Sequence, residues 1–504
     1  MRSLPATLLF ATAISAVVTS AADARSRAAM AGARPNVVFI LADDLGYGEI
    51  GAFGQGKVPT PHLDRLAREG MVLTQHYAGS TVCAPSRASL MLGRDTGQVP
   101  VRGNKEVRGA EEADNGQTPL PADSFTLGHL FQRAGYRTAA IGKWGLGAVN
   151  SSGAPSRQGF DLFFGYIDQR AAHSYFPQFL WRDNQLVKLD NPRIPRAERL
   201  QGNPGDPAAY AKYVGPDYAQ ERMTQEAEGF IESVSDKQRF FLYMAYTLPH
   251  AAVQIPFAER DRFRNLPETG PYLGRPYTPQ QYPRAARAAM IARLDADVGR
   301  LMASLRAKGL ERNTLVIFTS DNGPTTEGGQ DLDFFNSTGP LRGQKRGLYE
   351  GGIRVPTIAW WPGRIGAGSR TEAPTAFWDY MPTFAALTGA RAPRAPESVS
   401  MLPVLAGGRL PKRPPLYWEF HGAGATPHLQ AVRIGNWKAV RKWPAATPGK
   451  SAGIELYDLS RDPAEQKDVA AANPKIVARA ERAMAKRTRS AEAGWNFDQS
   501  AEDE

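Results

Sequence analysis

The 504-residue sequence contains a single cysteine, Cys83. One thiol cannot close an internal disulfide, so the fold must hold without covalent staples. No histidine-rich ligand spacing is present either, which argues against a pair of zinc ions. Beyond the N-terminus, no segment approaches the ~18 uninterrupted apolar residues of a membrane helix. There is no long Lys/Arg run, and no internal repeat is apparent.

What remains is an ordinary globular composition, 42% hydrophobic and 22% charged, long enough for one large unit and a smaller one. The formal net charge of +11, from 61 basic and 50 acidic residues, suits a polyanion or simply a basic soluble surface. Polyanions of this kind include sulfated glycans, nucleic acid and anionic membranes. The first residues read as a secretory signal. Arg2 precedes a mostly apolar run from Leu4 to Val18, and Ala22-Asp23-Ala24 is a small-x-small cleavage site, so residues 1–24 are expected to be removed. No cysteine stands at that site to carry a lipid. Export without disulfides, in an Ala- and Arg-rich chain, predicts a soluble periplasmic or secreted bacterial protein.

Cys83 opens the stretch C-A-P-S-R-A-S-L-M-L-G-R. Pro85 suits the first turn of a helix, and Ala88, Ser89, Leu90, Met91 and Leu92 carry it onward. Cys83 then sits at a helix N-terminus, where unpaired amides favour an anion, and Arg87 lies one turn on near the same face. A free cysteine is usually a small buried hydrophobe. Here a nucleophile, an anion site and a guanidinium are brought together instead.

Elsewhere one arrangement repeats. Apolar runs at 36–41, 137–141, 240–246 and 315–319 read as buried strands of a parallel sheet, and 355–361 as one more. Polar residues follow the first four runs directly or nearly so: Asp43 and Asp44, Lys143, His250, and Asp321 with Asn322. Open α/β sheets bind ligands at the carboxyl ends of their strands, so the repetition predicts one shared site. Helices are expected at 62–69, 124–134, 218–233 and 284–308, a strand at 71–77, and long functional loops over 150–216. After Pro411, short antiparallel strands at 416–418, 431–434, 437–442 and 455–458 and a helix at 474–487 predict a smaller α+β unit. The pairs Asp43-Asp44 and Asp321-Asn322 supply four oxygen-bearing side chains of the kind a hard cation such as Ca²⁺ prefers.

The segment Cys83-Ala84-Pro85-Ser86-Arg87 resembles the C-x-P-x-R signature of type I sulfatases in the alkaline-phosphatase superfamily, and Leu92-Gly93-Arg94 resembles its downstream extension. N-V-V-F-I-L-A-D-D-L-G-Y-G and F-T-S-D-N-G look like that family's metal motifs. G-K-W-G-L-G around Lys143 and L-R-G-Q-K-R-G-L-Y-E-G-G-I-R-V-P around Lys345 are similar to two more, and Pro249-His250 to another. The likeness runs in consistent order from about Pro35 to the C-terminus.

The resemblance implies an α/β fold with an alkaline-phosphatase-like central mixed, mostly parallel sheet flanked by helices. Residues 34–410 would form the catalytic unit, 411–490 the small α+β subdomain, and 491–504 a loose acidic tail. It implies hydrolysis of sulfate esters after a maturation enzyme oxidises Cys83 to formylglycine (3-oxoalanine). One Ca²⁺ would be held by Asp43, Asp44, Asp321, Asn322 and the modified Cys83. Arg87 would hold the nucleophile, Lys143 and Lys345 would meet the charge that grows on sulfate oxygens, and His250 would protonate the leaving oxygen. Three segments, G-F-D-L-F-F-G-Y, Q-R-A-A-H-S-Y-F-P and F-N-S-T-G-P-L-R-G-Q-K-R, resemble carbohydrate-directed bacterial members, which implies a sulfated galactose or N-acetylgalactosamine substrate.

One position departs. The family often has histidine where this chain has Gly145, so another base is needed, and His173 in the Q-R-A-A-H-S-Y loop is the candidate. Two rivals remain: a phosphatase, phosphodiesterase or phosphonate hydrolase on the same scaffold, and a non-catalytic sulfoglycan-binding protein.

Overall fold

The run predicted at 36–41 forms strand Asn36–Ala42, and every one of its residues is buried. Val38, Ile40 and Ala42 join one hydrophobic core, while Val37, Phe39 and Leu41 join another. Side chains alternate across a strand, so a run that is apolar throughout must be covered on both faces. Each large apolar side chain so buried contributes about 1.5–3 kcal/mol. The computed structural model describes residues 30–487 except 236, 423 and 448, together with residue 497. The expected signal at 1–24 lies outside the described residues, as does the tail at 491–504 apart from residue 497.

The main sheet is built from β1 (Asn36–Ala42), β2 (Met71–Leu73), β3 (Arg137–Lys143), β4 (Leu162–Tyr166), β5 (Phe179–Arg182), β6 (Gln185–Lys188), β7 (Phe240–Ala245), β8 (Thr314–Ser320), β9 (Thr357–Trp360) and β10 (Ser369–Thr371). Their spatial order is β10-β2-β9-β8-β1-β7-β3-β4-β5-β6. The central run β8-β1-β7-β3-β4 is parallel throughout. Antiparallel pairings flank it, β9 on β8 and β5 on β4. Helices Pro61–Glu69, Ala219–Ser233 and Pro283–Ala307 pack on one face, and Cys83–Leu92, Leu127–Arg133 and Tyr380–Thr388 on the other. The mixed, mostly parallel sheet between helices is the one expected.

Register decides where the chemistry falls. Ala42 lies opposite Ser320, Leu41 opposite Ala245, and Ala245 opposite Gly142. The carboxyl ends of β8, β1, β7 and β3 therefore line up along one edge.

Two expectations need correction. Residues 150–216 are not all loop, because β4, β5 and β6 lie within them and extend the sheet. β5 and β6 form a hairpin turning at Asp183 (φ 52°), and the largely exposed Gln185–Lys188 lacks the apolar signal of a buried strand. The strand expected over 71–77 is two strands, Met71–Leu73 and His76–Tyr77, which belong to different sheets.

The C-terminal strands Leu416–Phe420, His428–Ile434, Trp437–Trp443 and Glu455–Asp458 form an antiparallel sheet, and helix Pro474–Arg487 packs Ala480 and Met484 against it. Where this sheet meets the Glu350–Ile353 helix, the fully buried Lys438 ammonium lies 2.9 Å from both Glu350 and Glu465. Among the described residues, no helix is long and apolar enough to cross a membrane.

Candidate active site

Asp43 and Asp44 leave β1, Lys143 ends β3, Asp321 and Asn322 leave β8, and His250 stands just beyond β7. These side chains and Cys83 are almost completely buried, and Lys345 is 6% exposed. The sequence thus delivers its polar residues to one edge because parallel strands in register must end together.

Asp44 adopts a left-handed backbone (φ 60°), a strain of about 1–3 kcal/mol for a non-glycine residue. Two bonds hold it there: its amide donates to Asp321 Oδ1 at 3.2 Å, and Asn322 Nδ2 donates to its Oδ1 at 2.6 Å. Beneath it, the buried Arg287 guanidinium donates to the Asp44 carbonyl at 3.2 Å and to Glu49 at 2.6 Å. The same guanidinium also bonds the Pro249 carbonyl, so one side chain braces the approaches to both Asp44 and His250.

The predicted helix begins at Cys83 and ends at Gly93, which takes the left-handed conformation (φ 64°) that glycine permits. Ser86 ties its first turn to the sheet by donating to the Asp321 carbonyl at 2.5 Å. Cys83 Sγ lies 3.4 Å from Asp43 Oδ1. Burial, followed by the Asp43 charge, pushes the thiol well up, so it stays protonated at neutral pH. An unmodified Cys83 is therefore a poor nucleophile, because the thiolate is the reactive form.

Arg87 points at the carboxylates. Its guanidinium donates to Asp321 Oδ2 at 2.9 and 3.0 Å, to Asp43 Oδ2 at 3.2 Å, and to the Lys143 carbonyl. Lys143 Nζ donates to Asp43 Oδ2 at 2.7 Å, and Lys345 Nζ to Asp44 Oδ2 at 2.8 Å. Burial alone would raise the Asp43 carboxyl, but Lys143, His250, Arg87 and Lys345 together hold it far below its ordinary value. Asp321 goes the other way, pushed up by burial and by Asp43. Burial opposes charge on both lysines, yet Asp43 keeps Lys143 an ammonium and Asp44 does the same for Lys345.

Burial, then the Lys345 charge, lowers His250 to about 4, so the imidazole is neutral near pH 7. Its Nδ1 faces the Ala251 carbonyl, which can only accept, so Nδ1 carries the proton. Nε2 then accepts from Lys345 Nζ at 3.1 Å. His173 stacks on this ring, with centroids 5.0 Å apart and planes 18° apart. Tyr277 lies 5.1 Å from His173 and donates its hydroxyl to Glu327 at 2.9 Å.

Gly145 has φ 73°, and a Cβ there would lie 2.7 Å from Gln169 Cγ. Gln169 thus fills the space next to this position, and its buried Nε2 has no hydrogen-bond partner among the described residues.

The donors fit a hard cation. Asp43, Asp44, Cys83 and His250 each offer one ligand atom within 4.8 Å of the others. Asn322 Oδ1 is buried beside them without a hydrogen-bond partner. Carboxylate and amide oxygens are the ligands calcium takes, whereas His250 Nε2 already serves Lys345. Asp321 has an oxygen on Arg87 and another on the Asp44 amide.

Every residue singled out in the sequence is brought to this edge, with His173 on its rim. Missed were Glu327, Tyr277, Gln169 and the bracing Arg287. Glu327 ion-pairs with Arg346 and lies 4.0 Å from Lys345, and it follows Asn322 in the same loop, which was the available signal. Tyr277 and Arg287 belong to no motif and meet the site only through tertiary packing.

The chain matches the Sulfatase family model over residues 35–390 and the C-terminal model of N-sulphoglucosamine sulphohydrolase over residues 343–490. It is 32% identical over 472 residues to N-acetylgalactosamine-6-sulfatase of Mus musculus, covering 86% of this chain and 81% of that protein. It is also 32% identical over 474 residues to arylsulfatase A of Homo sapiens, covering 88% and 85%. Among solved structures, Ps i-CgsB in complex with k-i-k-neocarrahexaose superposes with a TM-score of 0.74 at 27% identity, covering 92% of this chain and 95% of that one.

Proposed function

This chain belongs to the sulfatase family, whose reaction is hydrolysis of sulfate esters, and we propose that its substrate is a sulfated carbohydrate of galactose or N-acetylgalactosamine type. The observation that carries the reaction is the placement of Cys83 on a buried helix start, against Asp43 and near two ammonium groups. The sugar class is supported by the mouse relative, an N-acetylgalactosamine-6-sulfatase, and by Ps i-CgsB, which was solved with a neocarrahexaose.

Cys83 is the residue for oxidation to formylglycine by a transiently bound maturation enzyme, and the hydrated aldehyde supplies the nucleophilic oxygen that a protonated thiol lacks. Asp43, Asp44, Asp321, Asn322 and the modified Cys83 would hold Ca²⁺, whose charge polarises the sulfate oxygens. Lys143 and Lys345 bind those oxygens and stabilise the charge that grows as the ester bond breaks. Arg87 fixes Asp43 and Asp321 from behind, which sets the wall against which Cys83 stands. His250 Nε2 carries no proton near pH 7, so the proton for the departing sugar oxygen would come from the Lys345 ammonium hydrogen-bonded to it. His173 is the candidate for the base that Gly145 cannot supply, and its ring stacks on that of His250. The working location is the periplasm or the exterior, following the leader read at 1–24.

Matched sulfate and phosphate esters with one leaving group test the reaction class. The matured protein, with its aldehyde verified by mass spectrometry, is expected to turn over the sulfate ester faster. Preference for the phosphate ester would overturn the reading in favour of a phosphohydrolase on the same scaffold.

A further inference from the structure

Across the Arg170–Ser174 turn from the catalytic edge lies a cavity of about 520 Å³, within the about 300–1,000 Å³ that ligand pockets span. Its walls include Arg108, Arg170, Arg193 and Arg196, together with Glu106, Glu111 and Glu112. The turn is shared: Ala171 and Ser174 line the cavity, while His173 between them stacks on His250 at 5.0 Å. The cavity therefore opens one turn of chain away from the leaving-group side of the site.

Its charges do not cancel. The Glu106 carboxylate takes both Arg108 at 3.1 Å and Arg170 at 3.2 Å through a single oxygen, Oε2. Glu112 takes Arg196. Arg193 is exposed, with no ion-pair partner among the described residues. Glu106 Oε1 is buried without a hydrogen-bond partner, an acceptor turned to no protein group. Half-buried Phe179 adds an aromatic wall. Guanidinium forks suit a planar or tetrahedral oxyanion, and an aromatic wall suits the apolar face of a sugar ring.

We propose that this cavity binds the neighbouring unit of an anionic oligosaccharide, with Arg193 and Arg170 taking a sulfate or carboxylate on that unit and Phe179 facing its sugar ring. The proposal rests on the sulfatase reading and deepens it: the enzyme acts on a chain carrying a second negative charge, not on an isolated sugar sulfate.

Two sulfated oligosaccharides that differ only in whether the adjoining unit is anionic or neutral test it. Wild-type kcat/KM is expected to favour the anionic one, mainly through KM. Arg193→Glu should reduce the ratio between the two about tenfold, the effect of one charge-assisted hydrogen bond. Arg193→Lys should restore part of it. Equal kcat/KM for both substrates in the wild type, or a variant that slows both equally, would overturn the proposal. Calorimetric titration of the Cys83→Ala protein with the same pair reads the cavity without turnover. Tighter binding of the anionic oligosaccharide, weakened by Arg193→Glu, supports the cavity even if no sulfate is ever released, an outcome that would sink the sulfatase reading alone. Equal binding of both oligosaccharides would sink the cavity while leaving that reading intact.

Discussion

Lys438, where the small sheet meets the Glu350–Ile353 helix, and Lys345, at the edge of the large sheet, are both buried ammonium groups held by carboxylates. Their surroundings differ. Lys438 sits between Glu350 and Glu465, and Tyr77 donates to Glu350 at 2.7 Å while Glu465 accepts from the Glu350 amide at 2.6 Å. Lys345 has a close carboxylate, Asp44 at 2.8 Å, a more distant one, Glu327 at 4.0 Å, and one neutral imidazole, and the neighbouring Asn322 Oδ1 faces no partner. The first cluster clamps the small sheet, through Lys438, to the Glu350–Ile353 helix and to Glu465. The second gathers ligand atoms of Asp43, Asp44, Cys83 and His250 within 4.8 Å of one another, with the unpartnered Asn322 Oδ1 beside them. Burial of charge alone does not identify an active site; the convergence of ligand-bearing side chains on one point does.

That contrast can be broken experimentally. Cys83→Ala should abolish sulfate release while leaving the melting temperature near that of the wild type, because a small buried side chain is replaced by a smaller one. Lys345→Ala should lower kcat by about 10²–10³, the effect of removing one donor aimed at developing charge. Lys438→Met should do the reverse. Removing one partner of a buried ion pair costs about 3–5 kcal/mol of stability, read by urea denaturation, while the rate per folded molecule should hold. If Lys438→Met loses rate but not stability, the distinction between the two clusters fails. Calcium chelation should lower turnover and added calcium should restore it, with the junction unaffected. His173→Ala should have the smallest effect, about tenfold in kcat, in line with the ~0.5–1.5 kcal/mol of a ring pair. Wild-type turnover in that variant would reject a role for His173.

The same contrast explains what could be read in advance. Strands such as Asn36–Ala42 and Phe240–Ala245 were legible because burial on both faces demands an unbroken apolar run. Their polar successors were legible because parallel strands end together. Gln185–Lys188 was not, because a largely exposed edge strand carries no such run. Within the site, the motif-borne residues from Asp43 to Lys345 were visible in the sequence. Arg287 was not, since its bonds to the Asp44 and Pro249 carbonyls depend on a long helix crossing beneath both. The sequence also marked Gly145 as a departure but could not show that Gln169 fills the space beside it.

Sulfate release from a panel of sulfated galactose, N-acetylgalactosamine and glucosamine saccharides tests the central claim most directly. The protein is matured in its host, checked for the aldehyde at Cys83, and run with calcium beside Cys83→Ala. Release from galactose- or N-acetylgalactosamine-type substrates that vanishes in the variant is the predicted result. Release that persists in Cys83→Ala, or none from any saccharide by the matured enzyme, would contradict the account.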